Sequence, residues 1–103
     1  MYGVVTTVKA PVETYDRMHA ELIKRTGTSV DGFGLLVHVG RATADGFERF
    51  EVWESKEHYD RAMEVAVSLM RDLFGDLPQP STEQSAEVFE VRGMVIPRGN
   101  VVI

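Results

Sequence analysis

Residues 34–54 read GLLVHVGRATADGFERFEVWE. Two runs rich in β-branched and aromatic residues, Gly34 to Arg41 and Phe47 to Glu54, flank an Ala42 to Asp45 connection with Asp45-Gly46 turn chemistry, and together they predict a β-hairpin. With Arg41 opposite Gly46 across a four-residue loop, side-chain alternation places Leu35, Val37, Val39, Phe50 and Val52 on one face. Leu36, His38, Arg49, Glu51 and Trp53 then share the other. One face is wholly apolar and the other mixed. A slip of one residue would instead move His38 to the side of Phe50 and Val52, away from Trp53.

Upstream of the hairpin, Gly3 to Ala10 is strand-like and runs into Pro11, whose fixed φ suits a first helical turn. From Pro11 to Arg25 the apolar residues Val12, Tyr15, Met18, Leu22 and Ile23 recur at steps of three and four, with Glu13 and Asp16 early and Lys24 and Arg25 late. An amphipathic helix follows from that spacing. Gly27 supplies its C′ residue, and Thr28 to Gly32 read as loop. Downstream, Ser55 caps a second helix reaching Phe74, whose apolar stripe runs through Tyr59, Ala62, Met63, Ala66, Leu69, Met70, Leu73 and Phe74. Gly75 stops it. Residues 76–85 form a polar, proline-punctuated connection, and Ala86 to Ile96 read as a fourth strand. Pro97 to Asn100 break that strand, and Val101 to Ile103 suggest a short additional one.

The order β-α-β-β-α-β is an α+β, ferredoxin-like split βαβ arrangement: an antiparallel sheet with two helices on one face. Its second face has no cover within the chain. Several strands are nevertheless apolar at both parities, with Val4 and Val8 set against Val5, Leu35 and Val37 against Leu36, and Val88 and Ile96 against Phe89, Val91 and Val95. Burying half a dozen such side chains is worth on the order of 10 kcal/mol, which a single copy cannot collect. A homodimer joined sheet to sheet would recover it.

Composition narrows the function. The chain has 103 residues, enough for one domain spanning 1–103, with no cysteine for a disulfide or a thiol nucleophile. Its net charge is −5 and its eleven Lys and Arg residues are scattered, so a nucleic-acid partner is not expected. No apolar run is long enough to span a bilayer, so no membrane partner is expected and the location is read as cytoplasmic. There is no Gly-rich phosphate loop, Ser-centred elbow or paired-carboxylate spacing. The three histidines stand on three different elements without i, i+4 or HxH spacing, so a metal site is not expected.

The stretch from Gly32 to Glu64, with Val52-Trp53-Glu54-Ser55 followed by Tyr59, resembles the dimeric α/β-barrel proteins of the antibiotic-biosynthesis-monooxygenase type. The resemblance implies paired ferredoxin-like domains with an apolar pocket between sheet and helices in each subunit. It also implies cofactor-independent oxidation of aromatic or polyketide-like compounds as one activity of the family, and haem degradation as another. Members that oxidise quinol precursors or haem pair an asparagine with the tryptophan, whereas the sole asparagine here is Asn100. Haem degraders carry a histidine within the second helix, where this chain has only His58 in the first turn. Trp53 alone transfers.

On that reading Trp53 orients a flat ligand and His38 acts as base, the two catalytic candidates. Tyr15, His19, Leu36, Glu51, Tyr59 and Met63 are candidate ligand-binding residues from the helix faces and the mixed face of the hairpin. The ordinary structural alternatives are Trp53, Tyr15, Tyr59 and Met63 as core, His38 as a satisfied core or interface histidine, His19 as an edge residue, and Glu51 as the partner of Arg49 or Arg92. A non-catalytic dimer that binds a hydrophobic small molecule, or fills the pocket with its own side chains, is the competing function.

Overall fold

A computed structural model describes residues 1–26, 34–74 and 83–97. The elements are β1 (Tyr2–Lys9), α1 (Val12–Thr26), β2 (Leu35–Thr43), β3 (Gly46–Trp53), α2 (Lys56–Phe74) and β4 (Glu83–Glu90). The predicted order is the observed one. Expectations for Gly27 to Gly32, for residues 75–82, for residues 98–103 and for the side chains of Arg25, Met70, Leu73 and Phe74 lie outside the described residues.

Every neighbouring strand pair is antiparallel, and the sheet order is β2-β3-β1-β4. The hairpin turns on two residues, Ala44 and Asp45, with Thr43 opposite Gly46 and Arg41 opposite Glu48. The four-residue loop is therefore corrected to a tighter turn. Because the pairing moves by two residues and side chains alternate with period two, His38, Arg49, Glu51 and Trp53 still share a face. A bulge between Leu35 and Val37 makes one exception. It pairs Leu35 with Trp53, so Leu35, assigned by alternation to the opposite face, packs against the core cluster of Val4, Trp53 and Ala62. Leu36 is the extra residue of the bulge and is half-buried.

Both helices lie on the face that carries Val4, Thr6 and Val8. Tyr15 of α1 meets Phe47 and His38, while Tyr59 and Ala62 of α2 pack with Trp53, Val4 and Tyr2. Val4 and Thr6 are fully buried there. On the reverse face, Phe89 lies over Gly3 and stacks on Phe50 at 5.7 Å, beside Val5, Val37 and Val39. Val39 is 54% exposed and Phe50 39%. Its charged end is closed by Glu48, which accepts from Arg41 at 3.0 Å and from Thr7 at 3.5 Å.

β4 departs from its expected limits. It begins at Glu83 and ends at Glu90, which pairs with Tyr2, the first residue of β1. The β1–β4 ladder ends at that pair, Val91 to Ile96 form no strand, and Val95 is 84% exposed.

The start of α2 is tied to the start of β2. Gly34 adopts φ +72°, a left-handed conformation that suits glycine, and a side chain there would meet the His58 ring. Its carbonyl accepts from the Glu54 N–H at 2.8 Å, and Ser55 Oγ accepts from the His58 N–H at 3.2 Å as the helix cap. Ser55→Ala should lower unfolding free energy by about 1 kcal/mol in urea titration, with the m-value unchanged.

Candidate functional site

β3 projects Arg49, Glu51 and Trp53 toward the helices from alternate positions, and β2 places His38 directly opposite Glu51. Glu51 Oε2 stands 3.0 Å from His38 Nδ1. The expected partner, Arg49 or Arg92, is thus replaced by a histidine, because cross-strand pairing brings His38 opposite while Arg92 lies beyond the end of β4. On its other side His38 Nε2 is 2.8 Å from Tyr15 Oη of α1. The three side chains form a continuous chain from helix to sheet.

Glycine makes room for it. Gly40 lies two residues from His38 on the same strand face, and the Tyr15 ring occupies the space where a Cβ at Gly40 would stand. His19, one helical turn after Tyr15, stacks on both Tyr15 at 5.4 Å and His38 at 5.5 Å between centroids. The Tyr15 and His38 rings are nearly parallel, at 3°. Phe47 closes the far side of Tyr15 at 5.4 Å.

The proton positions follow from the partners. A carboxylate only accepts, so neutral His38 carries its proton on Nδ1, donates it to Glu51, and leaves Nε2 to accept from the Tyr15 hydroxyl. Burial raises the Tyr15 pKa above its ordinary 10.0, and the negative charge of Glu51 adds to the rise while Arg49 opposes it. Tyr15 therefore enters neutral solution as a hydroxyl. A proton taken up by the Tyr15 oxygen can be matched by transfer of its own proton to His38, and Glu51 stabilises the imidazolium that results.

Trp53 ends the same strand face. It is 3% exposed and packs edge-on against Tyr59 at 5.8 Å, with Tyr2, Leu35 and Met63 around it. Tyr59 also has a raised pKa, chiefly from burial, with Arg49 opposing and Glu51 adding to the rise. The structure thus brings together Tyr15, His19, His38 and Glu51 on the α1 side, and Trp53, Tyr59 and Met63 on the α2 side. A shallow, open surface depression of about 480 Å³ lies elsewhere, at the hairpin end of β3, lined by residues that include Lys9, Pro11, Val12, Thr43 and Asp45.

Among the described residues, Thr6 Oγ1, Arg49 Nε, Glu51 Oε1 and Trp53 Nε1 are buried on this face without a hydrogen-bond partner. Each such group costs about 1–3 kcal/mol when left unbonded. Thr6 and Arg49 were not among the expected site residues. Their signal was present as polar types at core parity, Thr6 between Val4 and Val8, and Arg49 on the face of Trp53. Among the described residues, no group of three or more His, Asp or Glu side chains is placed to hold a metal ion. His58, in the first turn of α2, bonds Ser55 Oγ at 2.6 Å and stands 3.4 Å from Glu54.

No protein-family model matches the chain, and no curated protein matches it. Solved structures do. The haem degrader MhuD of Mycobacterium tuberculosis, with two haems in its active site, superposes at a TM-score of 0.58 with 17% identity, covering 92% of this chain and 99% of that one. A Deinococcus radiodurans protein assigned as an antibiotic biosynthesis monooxygenase gives 0.57 and 13% identity, over 96% and 100% of the two chains. The monooxygenase ActVA-Orf6 of Streptomyces coelicolor, in complex with nanaomycin D, gives 0.51 and 22% identity, over 93% and 90%. The chain has the ferredoxin-like fold of the antibiotic-biosynthesis-monooxygenase type, as its resemblance implied. Among the described residues, no helix is long and apolar enough to cross a membrane.

The raised tyrosine values set an alkaline signature. Because the unfolded chain releases these phenolic protons near pH 10.0 and the folded chain holds them longer, stability should fall as pH climbs past 10. Ultraviolet titration of the folded protein should show phenolate appearing late, and Tyr15→Phe should remove one late-ionising component.

Proposed function

We propose that this protein is a homodimer that oxidises an electron-rich phenolic or polyketide-like aromatic compound with molecular oxygen and no cofactor. The hydrogen-bonded chain Tyr15–His38–Glu51 supports this reading most directly: it is a base pre-assembled beside the only tryptophan. A substrate hydroxyl gives its proton to the Tyr15 oxygen as Tyr15 passes its own to His38. The resulting phenolate is electron-rich enough to reduce oxygen directly. One oxygen atom enters the ring carbon, and the other leaves as water with the two hydrogens lost by the substrate. Trp53 supplies a flat apolar wall for the ring. The likeness to ActVA-Orf6, a monooxygenase in complex with nanaomycin D, agrees in fold with such a use.

A second reading has its own observation. Tyr2, Leu35, Tyr59 and Met63 pack against the cluster of Val4, Trp53 and Ala62, the arrangement of a site filled by its own side chains or of a binding protein without turnover. Oxygen uptake with anthrones and quinols separates the two. Uptake should be measurable, and Tyr15→Phe and His38→Ala should each lower kcat by about 10²- to 10⁴-fold. Absence of uptake with retained ligand binding leaves the non-catalytic dimer.

Homodimerisation rests on the reverse sheet face, where Val39, Phe50 and Phe89 present apolar surface without cover from either helix. Sedimentation should give twice the chain mass of 11.5 kDa at micromolar concentration, and Phe50→Glu should halve it.

A further inference from the structure

Tyr15, His38 and Glu51 stand in the order of a nucleophile, its base and the group that orients the base. The Tyr15 hydroxyl is 2.8 Å from His38 Nε2, and His38 Nδ1 is 3.0 Å from Glu51 Oε2. Both distances fall in the range of about 2.6–3.2 Å over which a side-chain hydroxyl passes its proton to an imidazole as it attacks. The same sequence of atoms, hydroxyl to Nε2 and Nδ1–H to carboxylate, activates the serine of triad hydrolases, a constellation set by geometry and found on unrelated folds. Here the hydroxyl is phenolic. Burial and Glu51 keep its proton in place in neutral solution, so, like a serine, it attacks only as its base takes that proton.

The chain runs outward from the sheet interior. Glu51 lies on β3 with 6% of its side-chain surface exposed, and His38 keeps 17% on β2, which among the described strands forms an edge of the sheet. Tyr15 is half-buried over Gly40 of that edge strand. Of the charges that act on Tyr15, Glu51 and Asp16 are negative and Arg49 positive, and the whole chain carries −5. An anionic phosphoryl donor is repelled there, whereas a neutral carbonyl is not.

We propose that Tyr15 is a covalent nucleophile that takes an acyl group from a neutral activated ester. Tyr15 Oη bonds to the ester carbonyl carbon as its proton passes to His38 Nε2, and Glu51, a positioning residue, holds the imidazole and stabilises its positive charge. The tetrahedral oxyanion then collapses, the bond from carbon to the leaving oxygen breaks, and the alcohol departs with the proton returned by His38. The acyl-tyrosine is itself an aryl ester. Water that gives its proton to His38 hydrolyses it, releasing the acid and restoring the phenol. No oxygen is consumed, and the activity does not rest on the oxidation proposed above.

Phenylmethanesulfonyl fluoride traps the first half of this sequence: the Tyr15 oxygen bonds to sulfur, fluoride leaves, and the phenolic proton goes through His38 to solvent. Peptide mass spectrometry of the unaltered protein should place the sulfonyl group on Tyr15, with Tyr2 and Tyr59 as internal comparisons. Hydrolysis of 4-nitrophenyl acetate should fall about 10²-fold or more in His38→Ala and in Tyr15→Phe, which keeps the ring over Gly40. Glu51→Gln retains an acceptor for His38 without the charge, so it should lower the maximal labelling rate and leave the half-saturating reagent concentration unchanged. The position of the label is read without any substitution, so the test stands even where a variant fails to fold. A label shared evenly among the three tyrosines or absent from Tyr15, or ester hydrolysis undiminished in Tyr15→Phe, overturns the proposal. Labelling of Tyr15 without oxygen uptake retains the nucleophile and removes the oxidation, whereas uptake with Tyr15 unlabelled does the reverse.

Discussion

Glu51 carries a carboxylate into a layer where 5% of its surface meets water, and an ion placed there stands only if neighbours replace the hydration it lost. His38 supplies one such bond across the β2–β3 pair, and the rest of the site follows from that commitment. The carboxylate fixes which imidazole nitrogen is protonated, the free nitrogen takes the Tyr15 hydroxyl, and Gly40 leaves the room in which the Tyr15 ring lies. Removing any one of them leaves the others with an unmatched donor or acceptor. Among the described residues, the second carboxylate oxygen is buried without a hydrogen-bond partner, as are Thr6 Oγ1, Arg49 Nε and Trp53 Nε1 on the same face.

The sheet divides its two faces between different tasks. One face meets α1 and α2 and mixes apolar packing around Val4 and Trp53 with buried polar groups. The other presents Val39 and Phe50 to solvent, with Phe89 stacked alongside and a charged end at Arg41 and Glu48. An enclosed, low-dielectric environment strengthens the hydrogen bonds on the first face, while the second leaves apolar surface exposed. The structural neighbours share the fold at 13–22% identity, so the chemistry argued here is drawn from the side chains of this chain.

Much of this was legible along the chain. Period-two alternation in residues 34–54 was enough to place His38, Arg49, Glu51 and Trp53 together, and it survived an error in loop length because a shift of two residues preserves sidedness. Helical spacing located Tyr15, His19, Tyr59 and Met63 on the inward sides of their helices. Three features were not legible. The bulge that brings Leu35 to Trp53 breaks alternation by adding a residue, and no residue type there announces it. The end of β4 coincides with its pairing to Tyr2 of β1, a relation between strands distant in sequence. The identity of Glu51's partner depended on register, since Arg49 is close in sequence but His38 is opposite in space.

What the sequence determined by itself was the succession of elements and the side of each on which a given residue falls, because both are local properties of backbone periodicity and of residues such as Pro11 and Ser55 that start helices. What only the tertiary structure decided was which side chains touch: that Tyr15 reaches over Gly40 to His38, that Glu51 keeps one oxygen free, and that Thr6 stands beside Arg49. Those contacts join residues up to 43 positions apart, as with Thr6 and Arg49. Strand register, helix placement and the absence of a side chain at one glycine together set them, and no local pattern encodes all three.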